Sequence, residues 1–190
     1  MRSGRWIAAT TAGFALGGAA LHSPGGSGVG AAFLEWDASA AIFGAFLGGI
    51  VGAITGVLQI VALGRRDLRV FVAMVVTVAI AHALVDGAPE ILGVSGVAVM
   101  SGAVAAIANA SAARNWDPRS VVVALVGWWA GWMGGVALAG SLGLSYGSTQ
   151  DVWAMEHLVI AAVLGLAFGS ATSPAMRRIL RSERALSSAG

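Results

Sequence analysis

Long apolar stretches separated by short polar breaks dominate the pattern of residues along the chain. The breaks contain arginines, acidic residues or runs of glycine, and they delimit six apolar segments. The segments cover approximately residues 6–21, 38–63, 70–85, 91–113, 121–140 and 152–175. A helix that crosses the hydrocarbon core of a bilayer needs about 20 residues. The pattern therefore predicts one all-α domain, residues 1–190, made of six transmembrane helices.

Composition supports a polytopic membrane protein and excludes several other classes. The chain is 57% hydrophobic and only 11% charged, whereas soluble domains carry about 25% charged residues. The 28 glycines have no three-residue period, so the chain is not collagen-like. With no cysteine in the sequence, disulfides, thiolate metal sites and a cysteine nucleophile are excluded.

Every basic residue is an arginine, and all eleven lie at segment ends that belong to one side of the membrane. They are Arg2, Arg5, Arg65, Arg66, Arg69, Arg114, Arg119, Arg177, Arg178, Arg181 and Arg184. The positive-inside rule then predicts cytoplasmic termini (N-in and C-in) for a protein of the cytoplasmic (inner) membrane, and a basic cytoplasmic tail over residues 177–190. Trp6 and Trp116 fall at the inner interface, as expected for an aromatic belt. Because topology explains the arginines, we expect lipid rather than nucleic acid as a partner.

Small residues recur at matching positions of the apolar segments. Aligning the odd segments on their arginines superposes Gly13 with Thr77 and Gly127, then Gly17 with Ala81 and Gly131. Aligning the even segments superposes Gly56 with Ala105 and Gly169, then Gly52 with Ser101 and Gly165. A spacing of four keeps these residues on one helix face, which predicts three pseudo-repeated helical hairpins. Generic packing through glycine explains much of the same pattern.

The glycines expected to mediate helix packing share apolar surroundings in four of the six segments. They are Gly13, Gly17, Gly48, Gly52, Gly56, Gly127, Gly131, Gly165 and Gly169. Such faces can join helices within one chain or between chains. We therefore expect a homo-oligomer or a larger membrane complex.

Two sequence stretches carry a family resemblance. Residues 6–20 (WIAATTAGFALGGAA) and 56–66 (GVLQIVALGRR) resemble an uncharacterised group of small bacterial membrane proteins built from repeated hairpins. In that group the odd helices are rich in Gly and Trp, and the even helices end in G-x-x-Q-x-x-x-L-x-R. Ala108 and Thr172 stand where Gln59 stands in the second segment. The resemblance implies a fold and no known activity.

An enzymatic alternative rests on Gly93-Val94-Ser95-Gly96 at the outer start of the fourth segment and His157 at the outer start of the sixth. A serine becomes a nucleophile when a base within hydrogen-bond reach removes its proton. The two residues are similar to the Ser–His dyad of rhomboid intramembrane proteases, which implies Ser95 as nucleophile and His157 as base. The second segment lacks the histidine and asparagine that rhomboids usually use to stabilise the oxyanion. Capping of the fourth helix is the structural alternative for Ser95.

A haem- or pigment-binding subunit is a further alternative. His82 lies well inside the third segment and could ligate a cofactor, while Trp128 and Trp132 share a helix face that could stack on one. The histidines show no H-x-x-H or H-E-x-x-H spacing, so no metal site is predicted and no cofactor is required.

The function expected from these patterns is non-enzymatic. Arginine, lysine, aspartate and glutamate are absent from the depth of every apolar segment, whereas ion-coupled carriers usually need one. We predict an accessory or scaffold subunit of a larger membrane assembly, or a small transport component. The rhomboid-like protease and the pigment-binding subunit are the alternatives.

Overall fold

The computed structural model describes residues 3–20, 38–64, 68–87, 93–114, 116–144 and 150–187. In these ranges the chain forms six α-helices and no strand. They are α1 (Ser3–Ala20), α2 (Ala38–Leu63), α3 (Leu68–Gly87), α4 (Gly93–Ala113), α5 (Pro118–Ser141) and α6 (Gln150–Ser187). The all-α architecture predicted from the apolar segments is confirmed.

Five of these helices are long and apolar enough to cross a membrane. They are α2, α3, α4, α5 and the Met155–Arg177 part of α6. Helix α1 is not among the five, because Arg5 and several threonines and glycines lower the hydropathy of its 18 residues. The helices are those of a multipass membrane protein.

Helix ends follow the local sequence. Asp117 is the N-cap of α5, and its carboxylate accepts a hydrogen bond from the Arg119 backbone N–H at 3.2 Å. Pro118 occupies the first turn, where its missing N–H costs nothing. Helix α6 continues through Pro174, whose ring is exposed on the outer side of the helix. The chain therefore stays helical beyond the predicted apolar segment, as far as Ser187.

The helices pack in a closed ring. Each helix contacts the next one along the chain, and α6 also contacts α1. A smaller contact joins α4 to α6. The first and last helices are therefore neighbours, although the sequence separates them by most of the chain.

Large apolar side chains cover the outside of the ring. Ile42, Phe46 and Val61 are examples from α2, and each is more than half exposed. Buried positions include hydroxyl and amide side chains such as Thr55 and Gln59 of the same helix. This distribution reverses that of a soluble protein and suits helices whose outer faces contact lipid, because lipid tails are as apolar as leucine.

Helix backbones approach closely at several glycines. A Cβ atom at Gly13 of α1 would lie 2.6 Å from the Cα of Thr55 in α2. One at Gly131 of α5 would lie 2.8 Å from the Cα of Leu164 in α6. One at Gly165 of α6 would lie 2.9 Å from the backbone oxygen of Thr10 in α1. Any larger side chain at these positions would overlap the backbone of the neighbouring helix.

Aromatic rings fill the centre of the ring of helices. Trp128 of α5 is completely buried, and its ring centroid lies 5.7 Å from that of Phe14 and 5.3 Å from that of Phe168. Both pairs meet edge to face, the geometry that aromatic quadrupoles favour. The buried cluster around them takes residues from all six described helices, which places it on the axis of the ring.

Candidate functional site

A network of buried polar side chains ties α1 to both of its neighbours; we call it the Trp6 network, and its members are Trp6, Thr10, Gln59 and Thr172. The Gln59 amide Nε2 donates to Thr10 Oγ1 at 3.0 Å, which joins α2 to α1. The Trp6 indole Nε1 donates to Thr172 Oγ1 at 3.0 Å, which joins α1 to α6. All four side chains are buried. The network therefore spans three consecutive helices of the ring.

Backbone carbonyls fix the direction of each hydrogen bond in the Trp6 network. Thr10 Oγ1 donates to the Trp6 carbonyl at 2.9 Å, and Thr172 Oγ1 donates to the Phe168 carbonyl at 2.8 Å. Each hydroxyl has used its single hydrogen, so it can only accept from the other side chain. The Gln59 amide must therefore turn its nitrogen toward Thr10.

This orientation leaves the other end of the Gln59 amide without a protein partner. Gln59 is fully buried, and its Oε1 atom accepts no hydrogen bond. Rotating the amide by 180° would place a carbonyl oxygen against a hydroxyl that has no hydrogen left to give. An unpaired carbonyl in a bilayer-embedded protein has a large desolvation cost.

Gln59 lines a small cavity of about 10 Å³ inside the ring. The cavity is bounded by side chains of α1, α2, α3, α4 and α6. Its polar lining comes from Gln59, Thr77 and Asn109, and its remaining walls are apolar. The lining includes Trp6, Val70, Ala73, Met74, Ala105, Ala112, Phe168 and Met176.

A second buried polar contact joins α4 to α5. The Trp128 indole Nε1 donates to Ser101 Oγ at 2.9 Å, and Ser101 Oγ lies 3.3 Å from the Ala98 carbonyl. Trp128 is enclosed by Phe14 and Phe168 on its ring edges, while Trp132 is partly buried against the same cluster. The sequence predicts that Trp128 and Trp132 share a face that could stack on a cofactor. In the structure, the Trp128 side chain on that face lies in the protein interior.

Ser95 lies on α4 and His157 on α6. Ser95 is exposed in the first turn of α4, where its hydroxyl accepts from the Trp129 indole Nε1 at 3.4 Å. Gly93 begins α4 with φ at +58°, a left-handed conformation that glycine adopts readily. This backbone requirement accounts for one glycine of the G-x-S-G string without catalysis.

His82 lies within α3 and is half-buried. Its Nδ1 lies 3.1 Å from the Val78 carbonyl, one turn earlier in the same helix. His157 is close enough to interact electrostatically with His82, Asp86 and Glu156. Among the residues that the structure describes, no three histidine or carboxylate side chains are placed to hold a metal ion together.

Trp6, which the sequence predicts at the inner interface, has its side chain inside the bundle. It is only 1% exposed and packs with Val70, Ala113 and Met176. Its indole N–H donates a hydrogen bond to Thr172 rather than to a lipid headgroup. Trp116, by contrast, is 60% exposed. The interior position of Trp6 is explained by that buried hydrogen bond.

Thr10 is the member of the Trp6 network that sequence analysis did not single out. A signal was present, because Thr10 follows Trp6 by one helical turn and both lie in the stretch that resembles other small membrane proteins. Pairing it with Gln59 required knowledge of which helix faces α1.

No family model, curated protein or solved structure matches this chain.

Proposed function

We propose that the protein is a non-enzymatic integral membrane protein that acts as an accessory or scaffold subunit of a larger membrane assembly. The observation that carries the proposal is the side-chain-filled centre of the ring, where Phe14, Trp128 and Phe168 interlock. A solute moving along the ring axis would have to displace these rings. A rigid, closed bundle instead suits a protein that presents its outer faces to partners.

The proposal includes six spans with both termini in the cytoplasm. Helix α1 has 18 residues, which gives roughly 27 Å at 1.5 Å per residue and nearly matches the hydrocarbon core. It packs between α2 and α6, both of which contain candidate spans. The arginines at one set of helix ends support the orientation.

We further propose three hairpins, α1–α2, α3–α4 and α5–α6, related by a repeat. The support is the direction in which the glycines face. Gly52 of α2 lies against Met74 and Val75 of α3, and Gly165 of α6 lies against Thr10 and Thr11 of α1. Gly52 and Gly165 occupy the same position when the even helices are aligned. The α6–α1 contact, which closes the ring, therefore uses the same aligned position as the α2–α3 contact between the first two hairpins. In this arrangement the small glycine residues let the backbones of neighbouring hairpins approach closely.

A small transport component is the second candidate, and the polar lining of the cavity beside Gln59 favours it. Gln59, Thr77 and Asn109 come from three different helices and face the same space. The cavity volume of about 10 Å³ limits it to the smallest molecules. Transport of anything larger would need a second conformation in which Trp128 has moved.

Native mass spectrometry after extraction into polymer-bounded lipid discs tests the scaffold role. Two differently tagged copies are expressed together, and complexes captured through one tag are weighed. We expect a defined assembly that contains more than one chain, either copies of this protein or a partner in fixed stoichiometry. Recovery of the single 19.0 kDa chain with lipid alone would contradict the scaffold role.

A further inference from the structure

We infer that the cavity beside Gln59 binds one ordered water molecule, which donates a hydrogen bond to Gln59 Oε1 and is held by Thr77 and Asn109. This water would connect Gln59 of the Trp6 network to α3 and α4, two helices that contribute no member to the network. The inference concerns the interior of one chain and is independent of the proposed scaffold role.

The volume of the cavity selects the ligand. At about 10 Å³, the space accommodates a single water-sized molecule, since a buried water needs roughly 10–15 Å³. A lipid headgroup, a quinone or a pigment is far too large. A small apolar atom would leave the Gln59 carbonyl unpaired, so it does not meet the chemical need.

The polar groups that line the cavity match the hydrogen bonds that one water molecule can donate and accept. Buried waters typically make two to four hydrogen bonds to groups that would otherwise lack partners. Gln59 Oε1 is an acceptor without a protein partner, and it requires a donor that can approach from the cavity side. The Thr77 hydroxyl can donate or accept, and the Asn109 amide offers both functions. Water is the molecule that can serve all three at once.

Gln59 lines the cavity, and its Nε2 is bonded to Thr10, which does not line it; the Trp6 network therefore leaves the carbonyl as the polar group of Gln59 that remains for the cavity. The hydroxyl groups of Thr10 and Thr172 donate their hydrogens to backbone carbonyls of their own helices. Gln59 Nε2 is consequently committed to Thr10. The orientation of the amide is set from outside the cavity, and the resulting acceptor is a fixed feature of the site.

X-ray hydroxyl-radical labelling of the full-length protein in lipid discs tests this inference. A short X-ray pulse splits ordered water in place, and the radical oxidises the nearest reactive side chains before it can diffuse. Met74 and Met176 line the cavity and are only 6% and 4% exposed. Trp128 is equally reactive and fully buried but does not line the cavity. We expect Met74 and Met176 to be oxidised severalfold faster than Trp128.

Two variants connect the labelling to the proposed partners. Asn109→Leu and Thr77→Val each remove one polar group from the cavity, and the second is nearly isosteric. We expect oxidation of Met74 to fall severalfold in both. Ser111→Ala is the matched control on α4, because Ser111 is exposed and bonds only within its own helix; it should leave the rate unchanged.

Three results would overturn the inference. Oxidation of Met74 at the same slow rate as Trp128 in the wild-type protein would mean that the cavity is dry. Fast oxidation that persists in Thr77→Val and Asn109→Leu would place the water elsewhere. An equal loss of labelling in Ser111→Ala would assign the effect to a general change of the bundle.

Discussion

At the scale of single residues, the hydrogen bond between Trp6 and Thr172 is the clearest test of what holds the ring closed. The two residues are 166 positions apart in sequence and lie on the first and last helices. Within a bilayer, the indole N–H has no water to replace its partner, so the bond persists unless the helices separate. Interhelical bonds of this kind contribute about 0.6 kcal/mol on average and up to about 1.7 kcal/mol.

We predict a coupling energy of about 1 kcal/mol between Trp6 and Thr172. The measurement is a double-mutant cycle with Trp6→Phe, Thr172→Val and the double variant, in which the free energy of unfolding is determined by titration with SDS in mixed micelles. Trp6→Phe replaces the indole with a smaller aromatic ring at the position that packs with Val70 and Met176. Because the same packing change occurs with and without Thr172→Val, the cycle subtracts it and isolates the hydrogen bond.

Trp116→Phe is the control for the loss of an indole N–H. Trp116 is exposed, and substitutions at such positions usually change stability by less than about 0.5 kcal/mol. Additive effects of Trp6→Phe and Thr172→Val would show that the hydrogen bond contributes nothing to stability.

At the scale of helices, the glycine positions separate into close contacts and open surface. We predict that Gly13→Ala destabilises the protein by about 1–3 kcal/mol, because the new methyl group would overlap the backbone of Thr55 and force α1 and α2 apart. Gly49→Ala, in α2, is the matched change at a site where no atom lies within 4 Å of the added Cβ. It should be neutral or stabilising by up to about 1 kcal/mol, since alanine is the better helix former.

Thermal unfolding in detergent, followed by circular dichroism, measures both glycine variants. The informative quantity is the difference between them, because both make the same chemical change within a helix. If Gly13→Ala and Gly49→Ala have the same midpoint, close backbone approach at Gly13 does not contribute to stability.

Helix positions were predictable from the sequence because polar breaks mark where each apolar run stops. The predicted second segment, residues 38–63, has the bounds of α2, and its ends are marked by Asp37 and Arg65. The sixth apolar segment ends near residue 175, whereas α6 extends to Ser187, because hydropathy reports burial in lipid and does not mark the end of a polar helix that continues beyond it.

Neighbour relations between helices could not be predicted in the same way. The hydropathy pattern gives the length of a helix, but on an apolar helix it does not indicate which face meets which neighbour. For this reason the sequence did not indicate that the Trp6 side chain faces the interior, and the contact between Thr10 and Gln59 was missed. The cavity beside Gln59 depends on the packing of five helices, so no single segment encodes it.

At the scale of the whole molecule, closure of the ring between α1 and α6 can be tested by cross-linking. The chain has no cysteine, so introduced pairs react without background. We predict that Ile7→Cys combined with Gly169→Cys forms an intramolecular disulfide on mild oxidation, because a Cβ at position 169 lies 3.3 Å from the Cα of Ile7. This proximity is compatible with disulfide geometry.

Mass spectrometry of the digested protein detects the linked peptides. Ile7→Cys combined with Gly134→Cys is the control. Within the described ranges the backbones of α1 and α5 do not approach each other, although the Phe14 and Trp128 side chains meet, and Gly134 is exposed. An equal yield from both pairs would mean that α1 moves freely and that the ring is open in solution.

The whole-molecule question of catalysis reduces to whether Ser95 is activated. A serine hydrolase needs a base within hydrogen-bond reach of its nucleophile, whereas the Ser95 hydroxyl meets the indole N–H of Trp129. That N–H can only donate, so it cannot remove the serine proton. We therefore predict that a fluorophosphonate probe does not label the purified protein, and that Ser95→Ala and His157→Ala give the same result. Labelling of the wild-type protein that disappears in both variants would instead require α4 and α6 to move together, and it would make the protein a serine hydrolase.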